Sequence, residues 1–310
     1  MSFSRRELLA SGSALGLSSL LPNFGAAKPR PFRFVHMTDF HIQPEMRANE
    51  GSIKAMRHAM SRRPKPNLVI GGGDLIMDSF AEDEDRTKVQ WDLFTRMLKE
   101  NCDVPFRPTL GNHDVWGWNK AASKTTGNEA KWGRNWFKDV FNLENTYYAF
   151  VMGGWKFIIL DTIYQTPDGY NGLVDEAQFD WLKRELEATP STQPILVVSH
   201  IPLFAPCTVL YAYDTKTGDW TVGGNMMTKN FNDIKKLIDV HPNVKVCISG
   251  HVHLLDRYEY NGTAYLCNGA VCGAWWKGKN DHFAPGYVAF ELWPDGTWKH
   301  EFVEWGWKPE

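Results

Sequence analysis

The chain has 310 residues, of which 43% are hydrophobic, and its formal net charge is −2. This length and composition are typical of a globular protein with a sizeable core, and they fit either one large domain or two small ones. The near-neutral charge provides no basic field, so a nucleic-acid polymer is not expected as a partner. The 14 tryptophans either fill the core or form a surface that stacks on a ring-bearing ligand.

Residues 1–27 are predicted to be an export signal. A paired-arginine start at Arg5 and Arg6 precedes an uncharged stretch from Leu8 to Leu21, and Gly25–Ala27 offers small residues for cleavage. The stretch is shorter than the roughly 20 residues that span a membrane. The arrangement resembles a twin-arginine signal, with an ordinary Sec signal as the alternative. We therefore expect a periplasmic or secreted protein without a stable membrane anchor.

The first half of the remaining chain alternates apolar runs with helical stretches. Buried strands are predicted at Arg33–Met37, Asn67–Gly71 and Phe106–Leu110, with an amphipathic helix between successive strands. Apolar runs at Tyr147–Met152 and Trp155–Leu160 flank two glycines, which predicts a hairpin.

The second half continues with a helix at Asp175–Ala188, in which Asp175 and Gln178 are spaced for a capping box. Strands at Pro194–Ser199 and Val244–Ser249 enclose a helix near Phe231–Val240, and two late hairpins turn at 261–262 and 294–296. Strand and helix alternation followed by hairpins predicts an α/β layered fold with a mixed sheet or two packed sheets.

Five polar clusters each follow a predicted strand. They are Asp39-Phe40-His41, Gly73-Asp74 with Asp78, Gly111-Asn112-His113-Asp114, Ser199-His200 and Gly250-His251-Val252-His253. Because ligands gather at the carboxyl ends of strands in open α/β sheets, we expect these clusters to meet at one site. A glycine before Asp74, Asn112 and His251 fits the tight turns that such a site needs.

The clusters supply carboxylate, amide and imidazole ligands, and more of them than one ion can use. Mixed nitrogen and oxygen ligands suit first-row transition metals, whereas magnesium or calcium would prefer oxygen. The sequence therefore predicts two adjacent ions that share a carboxylate. Manganese, iron and zinc all remain candidates.

The order D-x-H, G-D, G-N-H-D, His and G-H-x-H resembles that of the calcineurin-like metallophosphoesterase family, and it runs from Asp39 to His253. The resemblance implies a four-layer α/β/β/α sandwich with two mixed β-sheets, formed by residues 28–310 as a single catalytic domain. It also implies a dinuclear-metal hydrolase of small phosphate esters, either a phosphodiesterase or a phosphatase, with a nucleotide-type substrate as one candidate. The alternative is a non-catalytic binding or scaffold protein on a degenerate phosphoesterase fold, and the complete set of motifs argues against it.

The resemblance also assigns roles to individual residues. The first ion would be held by Asp39, His41 and His253, the second by Asn112, His200 and His251, and Asp74 would bridge them. A hydroxide between the ions would attack phosphorus. His113 would face the leaving group as a proton donor, and Asp114 would orient it.

Finer patterns separate branches of the family. Purple acid phosphatases carry a Tyr three residues after the bridging Asp and a non-His residue in the first motif, but the corresponding residues here are Met77 and His41. The Gly-Asp-Leu-x-x-Asp form at 73–78 and Leu160-Asp161 look more like the class III cyclic-nucleotide phosphodiesterases.

Two irregular segments, Val115–Asn135 and Pro206–Met227, follow site motifs and are expected to form the walls of a cleft. In the first, Trp116 and Trp118 are candidates for substrate binding, although they could simply pack the loop. Among the five cysteines, Cys267 and Cys272 are the local candidates for a disulfide bond, whereas Cys247 lies in an apolar run typical of a core.

Overall fold

The structure is a computed structural model that describes residues 29–167 and 169–309, so the predicted export signal lies outside the described residues. Two large mixed sheets dominate it. The first sheet has the order β13-β12-β1-β2-β3. Its strands are β1 (Phe32–Met37), β2 (Leu68–Gly71), β3 (Phe106–Pro108), β12 (Gly286–Leu292) and β13 (Trp298–Glu304). Strands β1, β2 and β3 are parallel, and the β12–β13 hairpin joins β1 antiparallel.

The second sheet has the order β10-β11-β9-β8-β5-β4. Its strands are β4 (Tyr148–Met152), β5 (Trp155–Ile159), β8 (Ile195–Val198), β9 (Val244–Ser249), β10 (Leu255–Tyr260) and β11 (Thr263–Asn268). Strands β5, β8, β9 and β11 run parallel, and antiparallel hairpins complete both edges. A separate hairpin pairs β6 (Ile163–Thr166) with β7 (Gly169–Gly172).

Helices cover the outer faces of the two sheets. They are α1 (Ala48–Ser61), α2 (Glu84–Asn101), α3 (Lys120–Ser123), α4 (Asn135–Phe141), α5 (Glu176–Glu187) and α6 (Phe231–Asp239). Within the described residues, no helix has the length and apolarity to cross a bilayer.

Alternating side chains on the strands build three hydrophobic layers. On β1, Phe34 faces the core between the sheets, whereas Val35 and Met37 face the helices α1 and α2. On the second sheet, Ile158 faces outward toward α5 and α6. This period-two alternation, with both faces of each sheet buried, produces the predicted four-layer α/β/β/α sandwich.

Several local predictions change in detail. Asp175 caps α5 by accepting a hydrogen bond from the Gln178 backbone. The Gln178 side chain does not complete a capping box, because its amide instead brackets the backbone of Asp161. The β6–β7 hairpin was not predicted from the sequence, since its Thr, Gln, Gly and Pro residues lack an apolar alternation.

The five cysteines are unbridged. The suggested Cys267–Cys272 disulfide bond is therefore wrong for this structure. The Cys267 thiol donates to the carbonyl of Gly250, whereas the Cys272 thiol points toward the carbonyl of Gly273. Cys247 is buried in the core, as predicted.

Candidate dinuclear metal centre

The strand ends place the site residues through unusual backbone conformations. Asp39, His41 and Asp74 have φ angles of 57°, 44° and 51°, and His251 and His253 have 71° and 60°. Non-glycine residues rarely adopt this left-handed region, and they do so mainly where surrounding contacts fix them at functional sites. Backbone hydrogen bonds provide such contacts here, because Asp39 donates to Gly73 and His41 donates to Asp74.

Glycines let the motifs approach one another closely. A β-carbon at Gly111 would lie 2.1 Å from the Asp74 nitrogen, and one at Gly250 would lie 2.4 Å from an Asp39 carboxylate oxygen. At Gly111 and Gly250 glycine is needed because there is no space for a side chain, and not because the backbone adopts an unusual conformation. Gly73 differs, because it also has a φ of +94° and therefore provides the tight turn predicted from the sequence.

One group of donors surrounds Asp39. The Nε2 atom of His253 lies 3.2 Å from Asp39 Oδ1 and 3.2 Å from His41 Nε2. The same His41 nitrogen lies 3.6 Å from Asp74 Oδ2. These side chains are buried, the His41 nitrogen also lies 3.8 Å from Asp39 Oδ1, and His41 and His253 form a potential metal-binding group with Cys272.

A second group surrounds the other side of Asp74. The Nε2 atom of His200 lies 3.1 Å from Asp74 Oδ2 and 3.2 Å from Asn112 Oδ1. His251 completes a group with Asp74 and His200 in which the potential ligand atoms lie within 4.8 Å of one another. Asp74 thus faces both groups, which is the arrangement expected of a bridging carboxylate.

Backbone carbonyls fix the protonation of three imidazoles. They accept from Nδ1 of His200, Nε2 of His251 and Nδ1 of His253 at 2.8, 2.9 and 2.7 Å, respectively. Because a carbonyl can only accept, each of these nitrogens carries a hydrogen, and the other ring nitrogen is the one that could bind a metal ion. Such hydrogen bonds are typical of metal-binding histidines, so the residues present fit a pair of bound ions.

The electrostatics of the site favour cations. Burial raises the pKa of Asp39, but His253 and His41 outweigh it, and the pKa lies well below its usual range. Burial lowers the pKa of His200, yet the adjacent Asp74 raises it to about 9. The buried carboxylates of Asp39 and Asp74 therefore favour positive charge beside them, which metal ions would supply in place of the protons on the neighbouring imidazoles.

His113 lies at the border between this site and solvent, with 24% of its side chain exposed. Its Nε2 atom is 4.0 Å from Asp74 Oδ2, and its Nδ1 atom is 3.8 Å from Asp78 Oδ1. The ring is close enough to His41 and Asp74 to approach an ion. Its partial exposure also leaves it accessible to a substrate.

The predicted role of Asp114 is wrong. Its buried carboxylate accepts hydrogen bonds from the backbone amides of Leu75 at 2.8 Å, Ile76 at 3.3 Å and Gly111 at 2.9 Å. It therefore ties together the loops that follow β2 and β3. The carboxylate that faces the His113 ring is that of Asp78.

For Trp116 and Trp118 the structure favours the second of the two predicted alternatives, packing of the loop. Trp116 is buried, donates through its indole to the Glu82 carbonyl and packs edge-on against Trp136. Trp118 is buried beside Phe80 and Arg134. Both residues pack the loop against the domain core, so neither presents a free stacking face.

The second predicted cleft wall does reach the site, because Asn225 in Pro206–Met227 accepts the hydrogen bond from His251. Sequence reasoning missed Trp275, whose indole centroid lies 4.1 Å from the ring of His41. It also missed Tyr170, whose ring lies edge-on to that of His251. Neither residue belongs to a strand-end motif, so the pattern that identified the ligands gave no signal for them.

The fold and this arrangement of donors define a metal-dependent phosphoesterase, and the comparison with protein families agrees. Residues 32–255 match the Calcineurin-like phosphoesterase family, which is well over half of the chain. The protein belongs to this family. The predicted class of enzyme is therefore confirmed, together with the coarse function.

Several relatives have named activities. A 3′,5′-cyclic-nucleotide phosphodiesterase from Nostoc sp. is 26% identical over 280 residues, which cover 86% of this chain and 90% of that protein. The 3′,5′-cyclic adenosine monophosphate phosphodiesterase CpdA of Escherichia coli is 26% identical over 48% of this chain and 50% of its own length. A human serine/threonine-protein phosphatase is 28% identical, with 74% of this chain and 66% of that protein covered.

Solved structures confirm the fold. A dimetal phosphatase from Danio rerio has a TM-score of 0.58 at 15% identity, covering 90% of this chain and all of that chain. GAP50, described as the anchor in the inner membrane complex of Plasmodium, has a TM-score of 0.54 at 18% identity and covers 89% and 85%. Proteins with this fold thus include both a phosphatase and an anchor.

Proposed function

We propose that this protein is a two-metal phosphodiesterase with a nucleotide-type substrate. One observation supports the metal centre above all others: three of its histidines donate to backbone carbonyls, and the other ring nitrogens of His200 and His253 lie 3.1 and 3.2 Å from two buried carboxylates. Asp39, His41 and His253 would hold one ion, Asn112, His200 and His251 the other, and Asp74 would contact both. A bound ion pair supplies charge neutralisation for the phosphate and a lowered pKa for the attacking water.

His113 would provide the proton for the leaving oxygen. Its Nε2 atom points toward Asp74 and hence toward the metal centre, whereas Nδ1 points toward Asp78. Nε2 is therefore the ring nitrogen that would deliver a proton to the ester oxygen, and Asp78 would face the opposite nitrogen. The remaining site residues would hold the ions, and none of them is assigned the role of nucleophile.

The choice of a diester rests on the relatives. The Nostoc cyclic-nucleotide phosphodiesterase matches most of this chain, and CpdA matches about half of it. A monoester substrate is the second candidate, because the human phosphatase also covers 74% of the chain.

The alternative of a non-catalytic scaffold is weakened by the site itself. The fold alone does not separate the two readings, since an anchor protein shares it. A scaffold has no need to keep seven ligand side chains converged or a partly exposed imidazole beside them. Both features are present here.

The test combines elemental analysis with hydrolysis of bis-p-nitrophenyl phosphate and p-nitrophenyl phosphate, with and without added manganese. Two ions per chain and metal-dependent preference for the diester are expected. Preference for the monoester would support the phosphatase. If the protein has no bound metal and no activity even after reconstitution, the scaffold alternative would be supported.

We also propose that residues 1–27 direct export and that residues 28–310 form the mature catalytic domain. The paired arginines support the twin-arginine route. Changing Arg5 and Arg6 to Lys should leave the precursor in the cytoplasm. Unimpaired export of this variant would indicate the Sec route instead.

A further inference from the structure

Trp275 lies directly over the histidines of the metal centre. Its indole centroid is 4.1 Å from the ring of His41, 4.8 Å from that of His253 and 5.5 Å from that of His113. With 37% of its surface exposed, the indole has one side against these rings and another open to solvent. It therefore borders the space that a bound ester would occupy.

The backbone holds Trp275 there under strain. Its φ is 53°, and that of Trp276 is 69°, so two consecutive bulky residues adopt a left-handed conformation. Such conformations persist only when neighbouring contacts determine them, and they concentrate at functional sites. An exposed surface loop without a role would have no reason to keep both.

Trp276 supplies the contacts that fix this loop. Its ring is 1% exposed, its indole donates to the His41 carbonyl at 3.0 Å, and its own carbonyl accepts from the Trp307 indole at 3.0 Å. The Cys272 amide also donates to the Asp39 carbonyl at 3.1 Å. Two hydrogen bonds, to the carbonyls of Asp39 and His41, thus connect this loop to the first ligand motif. They fix the position of Trp275 relative to the candidate metal centre.

The chemistry of an indole limits what this position can recognise. Its flat face binds planar rings by stacking and offers little to a short alkyl group or to free phosphate. Because His113 borders the same space, the ring that stacks would belong to the organic group of the ester beside the reacting oxygen.

We propose that Trp275 determines specificity for ring-bearing phosphate esters by stacking on the ring of the substrate's organic group. This inference rests on the proposed function and extends it to a substrate class. The stacking surface that the tryptophan-rich composition suggested is then formed by Trp275 and not by Trp116 or Trp118.

The test measures binding without turnover. Phenylphosphonate and methylphosphonate cannot be hydrolysed, and their affinities for the manganese-loaded protein can be measured by calorimetry. The unmodified protein should bind phenylphosphonate about tenfold more tightly than methylphosphonate. Trp275→Ala should abolish this preference while leaving the methylphosphonate affinity unchanged, and Trp275→Phe should retain most of it.

Matched measurements separate stacking from damage to the site. Trp181 in helix α5 is half-buried and packs on Tyr147. Trp181→Ala removes this tryptophan and should keep the full preference for phenylphosphonate. Metal content should be unchanged in all three variants. A retained preference in Trp275→Ala, or equal weakening of both phosphonates, would overturn the proposal.

The two levels of inference fail differently. Hydrolysis of esters by the unmodified protein without a preference for phenylphosphonate would disprove the role of Trp275 and leave the proposed function standing. A Trp275-dependent preference without any hydrolysis would instead support ring recognition and reject catalysis.

Discussion

At the scale of single residues, His113 and the metal ligands can be separated experimentally. His113→Ala should retain both ions, because the seven proposed ligand side chains are unchanged, but should lower the turnover of poorly activated esters by about 10²–10⁴-fold. The turnover of esters with a p-nitrophenolate leaving group should fall less, since that group departs without a proton. Steady-state rates on both kinds of ester, with metal analysis, provide the measurement, and unchanged rates on the poor ester would contradict the assigned role.

Asp78 and Asp114 have similar chemistry but different surroundings, so their substitutions should have different effects. Asp114→Ala leaves three buried backbone amides without an acceptor and should reduce the free energy of unfolding by about 3 kcal/mol or more. Asp78→Ala removes the carboxylate facing His113 and the acceptor of the Phe80 amide, so it should reduce kcat about tenfold and lower stability less than Asp114→Ala does.

Denaturant unfolding and kinetics on the two variants test this pair together. Asp78→Asn serves as the conservative control, since it keeps the size of the side chain but not its charge. A destabilised Asp78→Ala with normal kcat, or a stable Asp114→Ala, would reverse the assignments.

At the scale of elements, helix α1 contacts the loop that carries Trp275 and Trp276, and the contact is at Gly51. A β-carbon at Gly51 would lie 2.2 Å from the ring of Trp276, within the core. Alanine normally favours a helix over glycine by about 1 kcal/mol, but here the overlap with a buried ring should dominate. Gly51→Ala should therefore lower stability by about 1–3 kcal/mol.

Trp276→Phe provides the matched control for this prediction. The smaller ring removes atoms near Gly51, so Gly51→Ala should cost less in the Trp276→Phe background than in the unmodified protein. Thermal unfolding of the two single variants and the double variant measures the coupling. Additive effects would show that the ring does not limit the space at Gly51.

The elements also show what the sequence could and could not predict. The strands and the candidate ligands were predictable because each polar motif directly follows an apolar run. The apolar run indicates the strand, and its end indicates where the polar motif lies. The carboxylate that faces His113 was not predictable. Asp114 is adjacent to His113 in the sequence, but its carboxylate turns toward the Gly111 amide. Trp275 was equally hidden, since its position depends on hydrogen bonds from Trp276 to a residue more than 200 positions earlier.

At the scale of the whole molecule, the metal ions should contribute to stability as well as chemistry. Removing them leaves the buried carboxylates of Asp39 and Asp74 with imidazoles as their nearest positively charged partners. A ligand at a thousandfold excess over its Kd stabilises the folded state by about 4 kcal/mol, so chelation should lower Tm by several degrees. Manganese should restore it, as measured by calorimetry.

The variant Asp74→Asn checks that this response comes from the dinuclear centre. Its shared carboxylate is lost, so both the activity and the manganese-dependent rise in Tm should fall. An undiminished thermal response would mean that manganese binds elsewhere on the protein.

The position of β1 has a consequence for how the protein is made. This strand lies between β2 and β12, and the loop after it is bonded to Trp276, so the earliest part of the fold depends on the latest. The pairing of β1 with β12 therefore has to wait until residues 286–292 have left the ribosome. Such long-range pairing slows folding. It also means that a chain truncated before β12 is expected to leave one edge of β1 without its partner strand.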